Sequence, residues 1–309
     1  MVRAVRGAGV SEIRIYGVPV SGEVAEGTDV GGLVVDAARR CGCGIRDGDV
    51  VVIASKIVSK AEGMVVRVGG VRAGTPAKIL SRFLGMREGQ VELYLRQGRV
   101  VAVIPLKLIE GYLRRYTRDL KAVEEAVAPE PYLLLIRTPQ GLMSWGGIDL
   151  SNVPRGYAVL PPRDPDASAR RIRDRIKELT GCDVAVILSD TEWTLSKFGS
   201  IDVAIGSAGI APVRRGFGSR DIYGKPKFGG IDVLVDLIAA AAALLMGQAA
   251  ESVPIAIVRG VRYEPSDEGV KDITYPSKLL RKGLVKVVLL TSLFKLVHAL
   301  ASILRFFKR

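Results

Sequence analysis

The segment Val184–Gly209 contains two groups of small and polar residues, each placed directly after a short apolar run. The run Val184–Leu188 is followed by a serine and then by Asp190 and Thr191. A carboxylate beside a hydroxyl, just past a buried strand, supplies the oxygen ligands that Mg²⁺ or Mn²⁺ prefers. The second group, Gly206–Gly209, would let the backbone approach a phosphate closely. A plainer alternative also fits, since Asp190 could cap a turn and the glycines could only reverse the chain.

Polar residues also follow two other apolar runs. Ser55 comes directly after Val50–Ala54, and Lys60 follows five residues later; open α/β sheets usually bind ligands past their strand ends, so this position favours ligand binding. A lysine there can contact a phosphate as a point charge, although a solvated loop would have the same composition. Asp149 follows the run Leu142–Ile148 and is the second acid in such a position.

Hydrophobic patterning predicts strands and helices that would position these residues. Continuous apolar runs indicate buried strands, and an Asp-Pro-Asp start followed by a closing glycine indicates a capped helix. The expected class is α/β with mixed sheets and flanking helices, and neither a P-loop nor a Rossmann glycine motif is found. The predicted strands are Ile13–Val20, Val50–Ala54, Val100–Ile104, Tyr132–Ile136, Val184–Leu188, Val203–Ile205 and Pro254–Arg259; the predicted helices are Val30–Arg40, Thr75–Leu84, Lys107–Val127, one between Asp166 and Gly181, and Val233–Met246.

Composition limits the class of partner. The 309 residues are 48% hydrophobic, which excludes a disordered chain, and carry a formal charge of +13, which favours anionic partners. Aromatic and arginine residues mix in Tyr112–Arg118, but a solvated helix face explains them more simply than RNA binding, so nucleic acid is not the expected partner.

The three cysteines form no paired framework and no zinc set. No apolar run follows Arg3 and Arg6, so we expect a cytoplasmic protein without a signal peptide.

The last residues differ in kind from the rest. Apolar residues dominate Leu284–Phe307, and charges inside the run argue against a membrane-spanning helix. Docking on a partner protein and lying at a membrane interface both remain open. We expect an α/β region over 1–260, a linker over 261–283 and an amphipathic helix over 284–309. The polar stripe of this helix consists of Thr291, Lys295, His298, Ser302 and Arg305, so the single histidine is not expected to be a catalytic base.

Six short blocks occur in an order that resembles the archaeal and bacterial coenzyme F-420 γ-glutamyl ligases. The resemblance extends from about Ile13 to Arg259, and several ordered blocks are more specific than any single motif. The blocks are Val52–Gly63, Gly147–Pro154, Leu160–Asp166, Ser189–Thr191, Val203–Gly206 and Leu244–Gly247.

The resemblance implies a mixed α/β homodimer that uses GTP to join L-glutamate to the lactyl carboxylate of a phosphorylated deazaflavin precursor, and then adds another glutamate by a γ-linkage. It implies two divalent ions, Mg²⁺ or Mn²⁺, with K⁺ as a further candidate. Asp149 and Asp190 are similar to the family's metal ligands, and Thr191 and Gln248 to residues that complete a second ion's shell. The residues similar to GTP contacts are Ser21, Gly22, Glu23, Val24, Ser55, Lys60, Asn152, Met246, Gly247, Ala249, Ala250, Glu251, Ser252 and Val253.

The chain departs from the family's pattern in several segments. After Asp-Thr the family commonly has Gly-Arg and a second basic residue, whereas this chain has Glu192–Lys197, with Thr194 in place of an arginine. Ser144–Gly147 replaces a Val-Asn-Ala-Gly sequence, Val91–Ala128 is longer than expected, and the apolar tail is foreign to the family's usual ending. These differences leave two alternatives: a related nucleotide-dependent amide ligase with another anionic acceptor, and a non-catalytic descendant that binds nucleotide, RNA or membrane.

Overall fold

The structure, a computed structural model, describes residues 12–194, 196–276, 283, 286–287 and 289–295. Its strands are β1 (Arg14–Val18), β2 (Val50–Ala54), β3 (Val65–Arg67), β4 (Arg99–Pro105), β5 (Tyr132–Thr138), β6 (Gly141–Ser144), β7 (Tyr157–Val159), β8 (Ala185–Trp193), β9 (Ser200–Ala208) and β10 (Ile255–Arg259). Its α-helices are α1 (Val30–Arg40), α2 (Ser55–Ala61), α3 (Thr75–Leu84), α4 (Glu88–Gln97), α5 (Glu110–Tyr116), α6 (Leu120–Val127), α7 (Pro165–Thr180), α8 (Leu234–Met246) and α9 (Val270–Ile273). Short 3-10 turns span Val68–Gly70, Leu106–Ile109 and Trp145–Gly147.

A five-stranded mixed sheet in the order β1-β10-β2-β8-β9 forms the centre of the fold. Only β2 and β8 run parallel, and the other neighbours are antiparallel. Val51 and Ile53 of β2 face α1 and α7, whereas Val50 and Val52 face α8, so alternate side chains fill two separate cores. This burial on both faces explains why β2, β8 and β10 consist of continuous apolar runs.

A second, antiparallel sheet in the order β4-β5-β6 carries helices α3 and α4 on one face. Leu134 and Ile136 of β5 pack against these helices. Leu133 and Leu135 point the other way and pack with Leu106 from the turn that follows β4. Strands β3 and β7 form a separate two-stranded sheet. The mixed α/β class predicted from the sequence is therefore confirmed.

Helix α1, strand β2 and helix α3 have the predicted bounds, but other elements differ. The prediction of one helix over Lys107–Val127 is wrong, because a 3-10 turn precedes α5, and Asp119 caps a separate α6. The segment Ser55–Gly63, for which a loop was the plainer interpretation, is mostly helix α2. Helix α4 lies where no helix was predicted. Pairing between β8 and β9 continues to Trp193 and Ser200, so the connecting loop is shorter than expected.

Cys41 and Cys43 are joined by a disulfide, so the expectation of unpaired cysteines is wrong for this pair. The chain reverses after α1, and both sulfur atoms lie within 3.4 Å of the carbonyl oxygen of Ala38. Cys182 is a free thiol and is half-buried.

The chain divides between Ile273 and Thr274 into two units. In the second unit residues 289–295 are helical, and Leu289, Leu293 and Phe294 are exposed. His298 and most of the predicted tail helix fall outside the described residues. Among the helices described, none combines the length and apolar character needed to cross a membrane.

Candidate functional site

A cleft of about 560 Å³ lies at the end of the central sheet where the parallel strands β2 and β8 stop pairing. Every predicted site residue except Ser21 lines this cleft. These residues come from the β1–α1 connection, helix α2, the segment before β7, strand β8 and the α8–β10 turn. Segments far apart in sequence thus converge at the position where α/β folds usually bind ligands.

The position of Asp190 depends on how β8 changes partners. The parallel pairing ends where Ala54 lies opposite Ser189, and the register of β8 shifts at this point. Strand β8 then continues alone with β9, so Asp190 lies inside a strand and not after one. The expectation that the strand breaks at Ser189 is wrong because β9 supplies a partner further along. Asp190 nevertheless lies at the carboxyl end of the parallel pair.

The carboxylate of Asp190 is in an unfavourable electrostatic setting. Loss of hydration, followed by the negative charges of Glu192 and Asp149, raises its pKa to about 7. The backbone N–H of Thr191 donates to Asp190 Oδ1 at 3.0 Å and the hydroxyl of Ser55 also donates to the carboxylate; both lower the pKa, but only in part. A cation placed between these carboxylates would relieve their repulsion.

Asp149 is held by a lysine and by its own loop. Lys56 Nζ lies 2.6 Å from Asp149 Oδ2 and donates to the hydroxyl of Ser151 at 2.7 Å. The backbone N–H of Ser151 donates to Asp149 Oδ1 at 2.6 Å. Backbone hydrogen bonds of 2.8 and 3.0 Å between Asp149 and Val159 fix the segment beside β7. Helix α2 therefore orients the Asp149 carboxylate through Lys56.

Thr191 and Gln248 contact each other directly, and both form hydrogen bonds with a third polar residue, Asp202. Thr191 Oγ1 lies 2.7 Å from Gln248 Oε1 and 2.9 Å from Asp202 Oδ1. Gln248 Nε2 donates to Asp202 Oδ1 at 2.8 Å, and the hydroxyl of Ser189 donates to Asp202 Oδ2 at 3.1 Å. The buried Asp202 of β9 thereby ties the α8–β10 turn to strand β8.

The segments similar to GTP contacts are linked to one another by hydrogen bonds. The backbone N–H of Val20 donates to the carbonyl oxygen of Ser252 at 3.0 Å, and Asn152 Nδ2 donates to the carbonyl oxygen of Ala249 at 3.3 Å. Lys60 Nζ forms an ion pair of 3.2 Å with Glu23. This side of the cleft therefore combines a lysine–glutamate ion pair with loop backbone.

Gly206 and Gly209 do not line the cleft. Gly206 lies inside β9, and a Cβ added there would approach the backbone carbon of Pro165 to 2.4 Å. Gly206 is therefore small so that the start of α7 can pack against the strand. Gly209 has φ of +78°, as expected of a glycine that turns the chain. The structure favours the plainer interpretation of Gly206–Gly209 over a phosphate contact.

The cleft also contains residues that were not named as site residues from the sequence: Lys56, Glu130, Trp145 and Asp202. Asp202 could have been noticed, because an acid inside a buried apolar strand is unusual. Glu130 follows no apolar run, and only the fold brings it to the cleft. It accepts hydrogen bonds from Tyr94 Oη and, at 3.1 Å, from Gln90 Nε2. Loss of hydration raises the pKa of Glu130.

The predicted metal ligands fit a hard divalent cation. Within the described part of the chain, no three acidic, histidine or cysteine side chains converge as a metal set. The predicted set has two carboxylates, Asp149 and Asp190, beside the neutral oxygens of Thr191 and Gln248. Mg²⁺ commonly takes one or two carboxylates and completes its shell with water and phosphate oxygens. The oxygen-only set therefore suits Mg²⁺ or Mn²⁺.

Comparison with known proteins identifies the family of the chain. The family model described as F420-0:Gamma-glutamyl ligase matches residues 20–260. The coenzyme F420:L-glutamate ligase of Methanopyrus kandleri is 35% identical over 83% of this chain and 90% of its own length. The proteins of the same name from Methanothermobacter thermautotrophicus and Archaeoglobus fulgidus are 34% and 32% identical, over 88% and 86% of this chain and 98% and 95% of their own lengths. The chain therefore belongs to the F420-0:gamma-glutamyl ligase family.

Proposed function

We propose that the protein is an amide-bond-forming ligase that joins L-glutamate to the lactyl carboxylate of the phosphorylated deazaflavin precursor of coenzyme F420, and then extends it by a γ-linkage. GTP is the energy source, two divalent ions assist, and the working form is a homodimer. The observation that carries the proposal is that residues from five separate segments, assigned to metal and GTP by family resemblance, line one cleft.

A carboxylate reacts poorly with an amine, so the proposed reaction first activates it. An oxygen of the lactyl carboxylate attacks the γ-phosphorus of GTP, the bond to the β-phosphate oxygen breaks, and GDP leaves. The amine of glutamate then attacks the acyl carbon of the acyl phosphate, phosphate leaves, and the nitrogen loses a proton. The products are one amide, GDP and phosphate.

The chain's own residues serve mainly to position charge in this scheme. In this scheme Lys60, at the end of α2, meets a phosphate group in place of Glu23, and Asn152 and the α8–β10 turn line the same side of the cleft. Thr191 Oγ1 contacts Gln248 Oε1, and Asp202 forms hydrogen bonds with both side chains. Divalent ions, when bound, would neutralise the charge of the triphosphate. Such catalysis depends on orientation and electrostatics, so it does not require a histidine base.

Mass spectrometry of the purified protein's products tests the proposal. The protein is incubated with the deazaflavin precursor, L-glutamate, GTP and Mn²⁺, and glutamyl additions and GDP release are scored. We expect glutamylated product that disappears when GTP is omitted or when the metal is chelated.

An absence of product from a protein that still binds GTP and Mn²⁺ would contradict the proposed acceptor. That outcome would favour the related ligase with another anionic acceptor, because the altered segment Glu192–Lys197 lies beside the predicted ligand Thr191.

A further inference from the structure

Four aromatic rings from two distant parts of the chain form one cluster at the tip of the β8–β9 hairpin. Tyr112 and Tyr116 of α5 both stack on Phe198, with ring centroids 5.6 and 5.5 Å apart and interplanar angles of 28° and 23°. Trp193, at the end of β8, meets Phe198 edge to face at 5.4 Å. The exposed fractions are 54% for Tyr112, 65% for Tyr116 and 37% for Phe198, so much ring surface is open to a ligand.

This cluster is continuous with the rim of the cleft. Trp193 packs on the same apolar cluster around Leu133 and Leu135 as Trp145, which lines the cleft. Glu192 joins the two regions, because its carboxylate accepts hydrogen bonds of 2.8 to 3.0 Å from the backbone N–H and hydroxyl of Ser144. Along β8, Trp193 is three residues beyond Asp190, or about 10 Å at the usual rise of a strand, and its side chain lies on the same face of the strand as that of Thr191.

A second substrate needs binding surface beyond the part of the cleft assigned to GTP. The cleft volume of about 560 Å³ lies within the range of a site for one small ligand. The segments assigned to GTP follow β1 and β2 and precede β10, on one side of the central sheet. The opposite edge, formed by β8 and β9, is where the hairpin carries the aromatic cluster. An acceptor whose acid end reaches Thr191, the neighbour of Asp190, can therefore extend along β8 towards these rings.

We propose that Tyr112, Tyr116 and Phe198 form a stacking platform for the planar ring of the acceptor, while its acid end reaches the cleft beside Asp190. The inference rests on the proposed function for the nature of the acceptor. Planar heteroaromatic rings stack on exposed aromatic side chains with little need for hydrogen bonding. Arg115, whose guanidinium lies 5.6 Å from the ring centre of Tyr116, adds positive charge that suits a phosphorylated ligand. The platform uses part of the segment in which the chain departs from its family, so it is a specificity-determining feature of this protein.

The test compares a double variant, Tyr112→Leu with Tyr116→Leu, with the full-length wild-type protein. Affinity for the deazaflavin precursor and for GTP is measured by calorimetry, and KM and kcat are measured in the glutamylation assay. We expect the Kd and KM for the precursor to rise about tenfold, the size expected from losing one to two stacking contacts, while GTP affinity is unchanged. The double variant Tyr112→Phe with Tyr116→Phe keeps the rings and should bind the precursor as the wild type does. Phe83→Leu, which removes an exposed ring from α3, is the matched control.

A ringless ligand separates stacking from an indirect effect on the cleft. Phospholactate, which carries the acid end alone, should bind the wild type and the leucine double variant equally. Equal loss of affinity for phospholactate and for the precursor would overturn the inference, and so would an unchanged Kd for the precursor. A wild-type protein that makes no glutamylated product would instead contradict the proposed function, so the two failures are distinguishable.

Discussion

Asp190 is an acid of the cleft whose ionisation is opposed, because loss of hydration and then the charges of Glu192 and Asp149 raise its pKa to about 7. If Asp190 binds a divalent ion, the substitution Asp190→Asn removes the negative charge of the side chain but keeps its shape. We expect metal-dependent turnover to fall by about 100-fold or more, as when a single preorganised electrostatic contact is lost. Turnover and Mn²⁺ binding are measured together, with circular dichroism to check the fold. Asp236→Asn is a matched control, since Asp236 is a partly buried acid of α8 that accepts from the N–H of Ala204. Unchanged turnover in Asp190→Asn would remove Asp190 from the metal site.

Glu130 allows a prediction about pH. Its pKa is raised in the folded protein, chiefly by loss of hydration, so folding favours the protonated form. This contribution to stability is present below the unfolded pKa and is lost as the pH rises through the folded pKa. Glu130→Gln mimics the neutral acid and keeps an oxygen acceptor for Tyr94 and Gln90. In metal-free protein the variant should therefore melt at a higher temperature than the wild type at about pH 8, and the difference should vanish towards about pH 4. A difference in Tm that does not change with pH would contradict this account.

Some residues of the cleft could be predicted from the sequence, and others could not. Asp149, Asp190 and Ser55 could be predicted to be close together, because polar residues after buried runs collect at one edge of a sheet. Ser55 then proves to donate to Asp190. Asp202 reaches the cleft because the β8–β9 pairing places it opposite Thr191. Glu130 reaches the cleft through contacts with partners such as Gln90, 40 residues away, and no local pattern encodes those contacts.

At the scale of elements, the start of α7 packs directly on β9 at Gly206. A Cβ at this position would lie 2.4 to 2.6 Å from three atoms of Pro165, two of them backbone atoms that cannot move away easily. Gly206→Ala should therefore lower the free energy of unfolding by about 1–3 kcal/mol, the usual cost of overpacking a core. Gly69→Ala is the control, because a Cβ there meets no atom within 4 Å. Urea denaturation measures both, and equal stabilities of the two variants would show that α7 can shift without penalty.

Elements with strong local signals were predictable to the residue. Helix α1 is capped by Asp29, whose side chain accepts from the N–H of Gly32, and β2 is apolar throughout. The ends of β8 and β9 were not predictable, because their length is set by mutual pairing across polar residues such as Glu192 and Ser200. The break between α5 and α6 was missed because Asp119 was not recognised as a cap within a helical pattern.

At the scale of the whole molecule, the order of sequence blocks identified the family, whereas the arrangement of the sheet required the structure. Strand β10 lies between β1 and β2, so the central sheet joins residues more than 200 positions apart. Hydrophobic patterns predict that such strands are buried but not which strands are neighbours. The cleft depends on this order, because it brings the α8–β10 turn beside the connection after β1, where Val20 donates to Ser252.

The residues that line the cleft all precede Thr274, where the second unit of the chain begins. In that second unit, the described helical residues 289–295 expose Leu289, Leu293 and Phe294. Because apolar helix faces usually mark a contact with protein or lipid, deletion of 284–309 should change assembly or membrane binding and leave intrinsic turnover nearly unchanged. Light scattering after gel filtration measures assembly, sedimentation with vesicles of anionic lipid measures membrane binding, and the glutamylation assay measures turnover. A large loss of turnover in a shortened protein that is folded and still assembled would show that the tail contributes to the chemistry of the cleft.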